Sequence, residues 1–205
     1  MRGRAAALLL PLLVAAPASA MHLRTSISVA AFSKDGTSVL LKITEDGPEG
    51  GSSTVWTVTD GSGASKAFGL TNDLSDGASA HEHIGAADCK ATAGALAKRL
   101  AAYGFDGVTI KPEACDKDRG AVVTLSSPDR GEKAKVSVKA RRVLVETRGA
   151  RGDVGEKRED VELDAIASKS GKLVVVLAGP HDDRWIFAVA RAKDGKLEPV
   201  QIDIQ

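Results

Sequence analysis

Aromatic side chains are scarce in this sequence. Two Trp, one Tyr and four Phe in 205 residues leave a core of Val, Leu, Ile and Ala. They also leave few of the flat faces on which sugars and nucleobases stack. Charge of one sign is missing as well: 28 Lys and Arg stand against 27 Asp and Glu. Binding to phosphate backbones needs a basic surplus or stripe, so a nucleic-acid partner is not expected. Cysteine is limited to Cys89 and Cys115. Catalytic signatures are absent too. There is no Gly-x-Ser-x-Gly elbow, no His-Glu-x-x-His and no Gly-x-x-x-x-Gly-Lys-Ser/Thr loop. Gly61-Ser62-Gly63 lacks the third glycine of a dinucleotide fingerprint. The chain reads as a non-enzyme.

One apolar run exists, and it stands at the start. Arg2 and Arg4 precede residues 5–16, which are apolar throughout, and Pro17-Ala18-Ser19-Ala20 follows. A basic start, an apolar middle and small residues before a cut after Ala20 are the parts of a secretory signal peptide. About 12 apolar residues fall short of the roughly 20 that a membrane-spanning helix requires. No cysteine follows the run to carry a lipid. The expected product is residues 21–205, periplasmic or secreted, one domain without a transmembrane anchor. Loss of Arg2 and Arg4 takes the 28 basic residues to 26 against 27 acidic, a net of about −1.

An even cysteine count in an oxidising compartment favours a Cys89–Cys115 disulfide over two free thiols or a redox pair. Between them Ala93, Leu96, Ala97, Leu100 and Tyr103 recur at helical spacing. Asp88 is placed to cap the start of a helix over about 89–103, and Gly104 to end it. Val108 and Ile110 then alternate as a strand. A helix of about 14 residues spans roughly 21 Å and a return strand of about 7 residues roughly 23 Å, so the sulfurs meet. Closing that loop is worth about 3.5 kcal/mol in the chain-entropy model.

Turn signals punctuate the remainder. Lys34-Asp35-Gly36, Asp118-Arg119-Gly120, Lys169-Ser170-Gly171 and Lys193-Asp194-Gly195 each precede a β-rich run, and the glycine supplies the positive φ of a tight turn. Val136, Val138 and Ala140 alternate. Val143 and Val145 resume after Arg141-Arg142, a doubled polar step that predicts a bulge in one strand. Residues 148–160 are Gly-rich and charged and predict a mobile surface loop. The fold expected is mainly β (α+β), an antiparallel meander of hairpins interrupted by one helix.

Phe32-Ser33-Lys34-Asp35-Gly36, the run from Val39 to Ile43, Glu45-Asp46-Gly47, Val55-Trp56-Thr57-Val58, Asp60-Gly61-Ser62-Gly63 and Leu70-Thr71-Asn72 follow one another in the order of a propeller blade. Residues 31–72 thus resemble one blade of a TolB-like β-propeller, and residues 167–202 echo it more faintly. The layout is also similar to small predicted secreted proteins of unknown function with the same opening hairpin. The resemblance implies blade-like sheets serving in protein contacts, and it carries over no catalytic residue. A propeller needs at least four blades of about 40 residues, so a complete ring is not implied.

His81-Glu82-His83 is the best chemical candidate. Two imidazoles at i and i+2 share one face of a strand and so could share a Zn²⁺ or Cu²⁺, with Asp76, Asp88 or His181-Asp182-Asp183 as further donors. The plainer reading is a solvated loop, given the Gly, Ser, Asp and Ala from 72 to 80. Residues 72–77 fail as a calcium loop, because Leu74 stands at a ligand position. Arg151-Gly152-Asp153 matches an adhesion tripeptide of a kind that charged loops produce by chance. Trp56 and Trp185 are expected to be core or edge-packing anchors in equivalent hairpins rather than ligand platforms. Together these features predict an exported, non-catalytic binding or structural protein of the envelope, in contact with another envelope protein and using no cofactor. The alternative is a small exported metal-binding protein or hydrolase using His81 and His83.

Overall fold

The computed structural model describes residues 24–46, 52–69, 82–83, 89–116, 120–157, 160–180 and 183–200. Residues 1–20, expected to form a signal peptide, lie outside them. The chain is mainly β with one helix, as its composition and turn signals predict.

A first sheet of five strands runs β1 (Arg24–Phe32), β2 (Ser38–Asp46), β3 (Ser52–Asp60), β4 (Ser65–Gly69) and β5 (Glu82–His83), in that order. The first four form the antiparallel meander; β5 joins in parallel. Helix α1 (Cys89–Ala101) follows, then a hairpin of β6 (Thr109–Asp116) and β7 (Gly120–Ser126). Eight more strands complete the described chain: β8 (Glu132–Lys133), β9 (Lys135–Lys139), β10 (Arg142–Glu146), β11 (Arg151–Glu156), β12 (Leu163–Ala167), β13 (Leu173–Ala178), β14 (Trp185–Lys193) and β15 (Lys196–Val200). Their order is β8-β12-β13-β14-β15-β11-β10-β9. The two ends of that order, β8 and β9, are consecutive in sequence and separated only by Ala134. The Ala134 N–H donates to Ala165 O at 2.8 Å, which keeps this segment against β12. The sheet is a nearly closed barrel.

Three buried clusters stack the layers. Val143, Val145, Val154, Val174, Val176 and Leu197 fill the barrel. Leu173, Val175 and Leu177 point the other way from β13, onto Ile27, Phe32, Val39, Leu41 and Ile43 of the first sheet. The opposite face of that sheet, with Leu40, Trp56, Val58 and Phe68, is covered by Ala93, Leu96 and Leu100 of α1 and by Phe105. All six residues of β13 are buried, because this strand is covered on both faces. Its continuous apolar run, in place of alternation, is the sequence signature of such a position.

Helix α1 ends where Gly104 takes φ 81°. The Phe105 N–H reaches Leu100 O at 3.1 Å and the Gly104 N–H reaches Ala101 O at 3.0 Å, the paired bonds of a Schellman cap. Tyr103 therefore falls beyond the helix. It is 40% exposed and meets Phe68 edge-on, ring centroids 5.9 Å apart. The apolar spacing carried the expected helix two residues too far.

The step at Arg141-Arg142 is a turn rather than a bulge. Ala140 and Arg141 both adopt positive φ, 48° and 67°, and β9 and β10 pair from Arg142↔Lys139 to Glu146↔Lys135. The valines predicted as one strand belong to two. A turn of this type normally carries Asn-Gly, so Ala-Arg gave no warning of it.

Two turns repeat one geometry. The Ser33 N–H bonds Ser38 O and the Ser168 N–H bonds Leu173 O, both at 2.9 Å. The Gly36 N–H bonds Ser33 O and the Gly171 N–H bonds Ser168 O, both at 2.8 Å. Gly36 and Gly171 share φ 71°. The turns also lie together, since a Cβ added to Gly36 would collide with Ser170 Oγ.

Candidate binding surface

The sequence-predicted metal residues are not brought into a described site. His81, Asp76, Asp88, His181 and Asp182 lie outside the described residues. His83 belongs to β5, where its backbone pairs with Gly69, but its side chain is not among those described. Asp183 is exposed, its N–H on Pro180 O at 3.1 Å. Among the described residues no group of three or more His, Cys, Asp and Glu could hold a metal.

Cys89 opens α1 and Cys115 lies near the end of β6, and the helix packs on that strand. No disulfide is seen among the described residues, and both cysteine side chains lie outside them. Among the described residues no helix is long and apolar enough to cross a membrane.

The two tryptophans are not equivalent. Trp56 is 2% exposed within the core shared with α1, whereas Trp185 is 41% exposed. Trp185 opens β14 opposite Ala178, and its ring lies where a side chain on Gly179 would have to go. Trp56 is thus a core anchor, and Trp185 packs at the surface over Gly179.

The charged segment 148–160 contributes β11. Val154 enters the barrel core, and Arg151, Gly152 and Asp153 pair with Glu146, Val145 and Leu144 of β10. The Arg142 guanidinium donates from Nε to Asp153 Oδ2 at 2.5 Å, and that contact holds the Asp153 carboxyl below its ordinary range. The adhesion-like triplet is thus a stretch of strand with its carboxylate engaged, not the tip of a loop.

That strand lines a surface groove of about 710 Å³ over β9, β10, β11 and β15. Leu144, 37% exposed, stands in it with Ser137, Lys135, Glu146, Arg151 and Lys196 around it. The register explains the arrangement. Lys135 pairs with Glu146, Glu146 with Arg151, Arg151 with Lys196 and Lys196 with Lys193. Residues paired directly across strands share a face, so five charged side chains form one row over five strands, plus, minus, plus, plus, plus. All five are exposed. Lys135 Nζ lies 3.7 Å from Glu146 Oε2, which neutralises the first two. Among the described residues no carboxylate lies within ion-pair distance of Arg151, Lys196 or Lys193. Like charges directly opposite each other cost a few tenths to about 1 kcal/mol per pair.

Sequence reasoning missed this row. Its members come from residues 135, 146, 151, 193 and 196, and only the strand order and register bring them side by side. The available signal was local and weak: the Lys193-Asp194-Gly195-Lys196 hairpin places two lysines opposite each other. Elsewhere the titratable groups serve turns. Asp35 accepts from the Ser33 hydroxyl at 2.7 Å, the Thr37 hydroxyl at 2.8 Å and the Thr37 N–H at 3.2 Å, which together lower its pKa to about 2. Burial works to raise the pKa of Asp60, but donation from Ser62 and Ala64 outweighs it and lowers the value.

No family model, curated protein or solved structure matches this chain.

Proposed function

We propose that this chain is an exported, non-catalytic binding protein of the cell envelope, and that the groove over β9, β10, β11 and β15 is where it holds another envelope protein. The groove carries the reading. It sets an exposed leucine among six charged side chains on a rigid sheet, and an apolar centre inside a polar rim is how protein contacts are built. Two features of the sequence support it. The segment before Met21 has the layout of a cleaved signal, and the hairpins resemble blades that serve in protein contacts.

Site-specific photo-crosslinking tests this. A photoreactive residue at Leu144 should give one discrete adduct in envelope fractions, while the same residue at Lys90, exposed on α1, should give none. N-terminal sequencing of the fractionated protein should start at Met21. Absence of an adduct at Leu144 under conditions where the protein is folded and exported would defeat the proposal.

A further inference from the structure

From the row of side chains Lys135, Glu146, Arg151, Lys196 and Lys193, we infer that the groove takes an extended acidic segment of the partner protein, whose carboxylates lie over Arg151 and Lys196 in the groove and Lys193 beside it. This inference rests on the binding reading above and specifies the chemistry of the partner.

Three observations lead to it. First, the unpaired cations are adjacent by register and not by loop flexibility. Arg151 is the Cα partner of Lys196, and Lys196 is the Cα partner of Lys193, on strands about 4.8 Å apart. Second, among the described residues the nearby carboxylates leave this cluster unneutralised. Glu146 faces Lys135, Asp153 is bound by Arg142, and Glu198 is bound by Arg191 at 3.3 Å. Among the described residues Asp194 alone remains on the groove wall, at the turn between Lys193 and Lys196, against three cations. Third, β11 and β15 are held in place beneath the cluster. A Cβ on Gly152 would press into the backbone of Leu197, and the Arg151 N–H bonds Gly195 O at 3.2 Å. These contacts keep the backbones that carry Arg151 and Lys196 side by side. A partner that supplies negative charge relieves the repulsion, and the relief adds to its affinity.

The groove also limits the shape of the partner. In an extended segment the side chains at i and i+2 face the same way about 7 Å apart. That fits within the roughly 10 Å that Arg151, Lys196 and Lys193 span across three strands. An apolar residue beside the acidic pair then meets Leu144. The surface selects acidic-x-acidic next to a hydrophobic residue, in an extended chain.

The test separates binding from stability. A fluorescent peptide of alternating Glu and Val with one Leu is titrated into the purified full chain, followed by anisotropy at low and at high salt. The native chain should bind it, more weakly as salt rises. Lys196→Glu should weaken binding by about tenfold, because attraction becomes repulsion at the centre of the row. The same substitution makes the row alternate in sign, so the thermal midpoint should hold or rise. Lys193→Glu, which also sets opposite charges across from Lys196, serves as the second variant with the same two expectations. A side chain with only a structural role would lower the midpoint and leave binding unaltered. No binding of the peptide by the native chain overturns the inference, as does equal binding by Lys196→Glu. Equal competition by a DNA oligonucleotide of the same charge overturns it too, since it reveals a general polyanion surface. If the Leu144 crosslink persists in Lys196→Glu at full yield, the binding reading survives and the acidic-segment inference falls.

Discussion

Asp35 shows how a single carboxylate organises a turn in this chain. It collects two hydroxyl donors and one N–H from Ser33 and Thr37, while the Ser33 hydroxyl oxygen accepts the Ser38 N–H at 2.9 Å. Hydrogen bonds to the ionised form hold its pKa near 2, below the usual Asp value of about 3.9. The sign follows from linkage. A group with a lowered folded pKa contributes stability above its unfolded pKa, and that contribution disappears as pH falls through the folded value. The side chain is exposed, so the effect is modest. Urea unfolding of Asp35→Asn should show a small loss at pH 7 relative to the native chain. The difference should shrink as the pH drops from about 4 towards 2. A constant difference across that window would mean that Asp35 acts through shape and not through charge. Gly36 in the same turn, and its counterpart Gly171, hold φ 71°, which explains why both motifs end in glycine.

At the scale of elements, the β9–β10 hairpin is the informative failure. Most elements were visible in advance. The helix showed through Ala93, Leu96 and Leu100, and its end through Gly104. Strand β13 showed through its unbroken apolar run, and three turns through a glycine that takes positive φ. The Ala140-Arg141 turn was not visible, because neither residue type advertises the left-handed conformation that both adopt. The charged stretch that supplies β11 was hidden for another reason. Within Arg151–Glu156 only Val154 is apolar, and the strand exists because β10 and β15 flank it. The strained turn makes a direct prediction. Replacing Ala140-Arg141 by Asn-Gly should stabilise the protein by about 1 kcal/mol, since non-glycine residues at positive φ carry a penalty of that order. Thermal or urea unfolding of the double variant measures it, and an unchanged or lowered midpoint would contradict the observed turn. The groove was the least legible feature. Residues 193 and 196 are neighbours in sequence, but Arg151 and Lys135 join them only through strand order, which local pattern does not encode.

For the whole molecule, β13 is the shared wall. Val174 and Val176 belong to the barrel, and Leu173, Val175 and Leu177 to the layer against β1 and β2. Damage to this strand must reach both layers. Val175→Ala should destabilise by about 1–3 kcal/mol, from lost burial and the cavity left behind. The loss should appear equally in circular dichroism and in tryptophan fluorescence, as a single transition. Two separated transitions would show that the layers unfold independently.

That wall also sets when folding begins. Residues 24–46 make a sheet with one face closed by β12 to β15, so that face stays uncovered until those late strands have been synthesised. Contacts this distant in sequence form slowly. For a chain threaded unfolded through a translocation pore, such lateness is useful. Under the export proposed above, the amino-terminal half would stay pliant during transit, and the last strands to arrive on the far side would complete the structure.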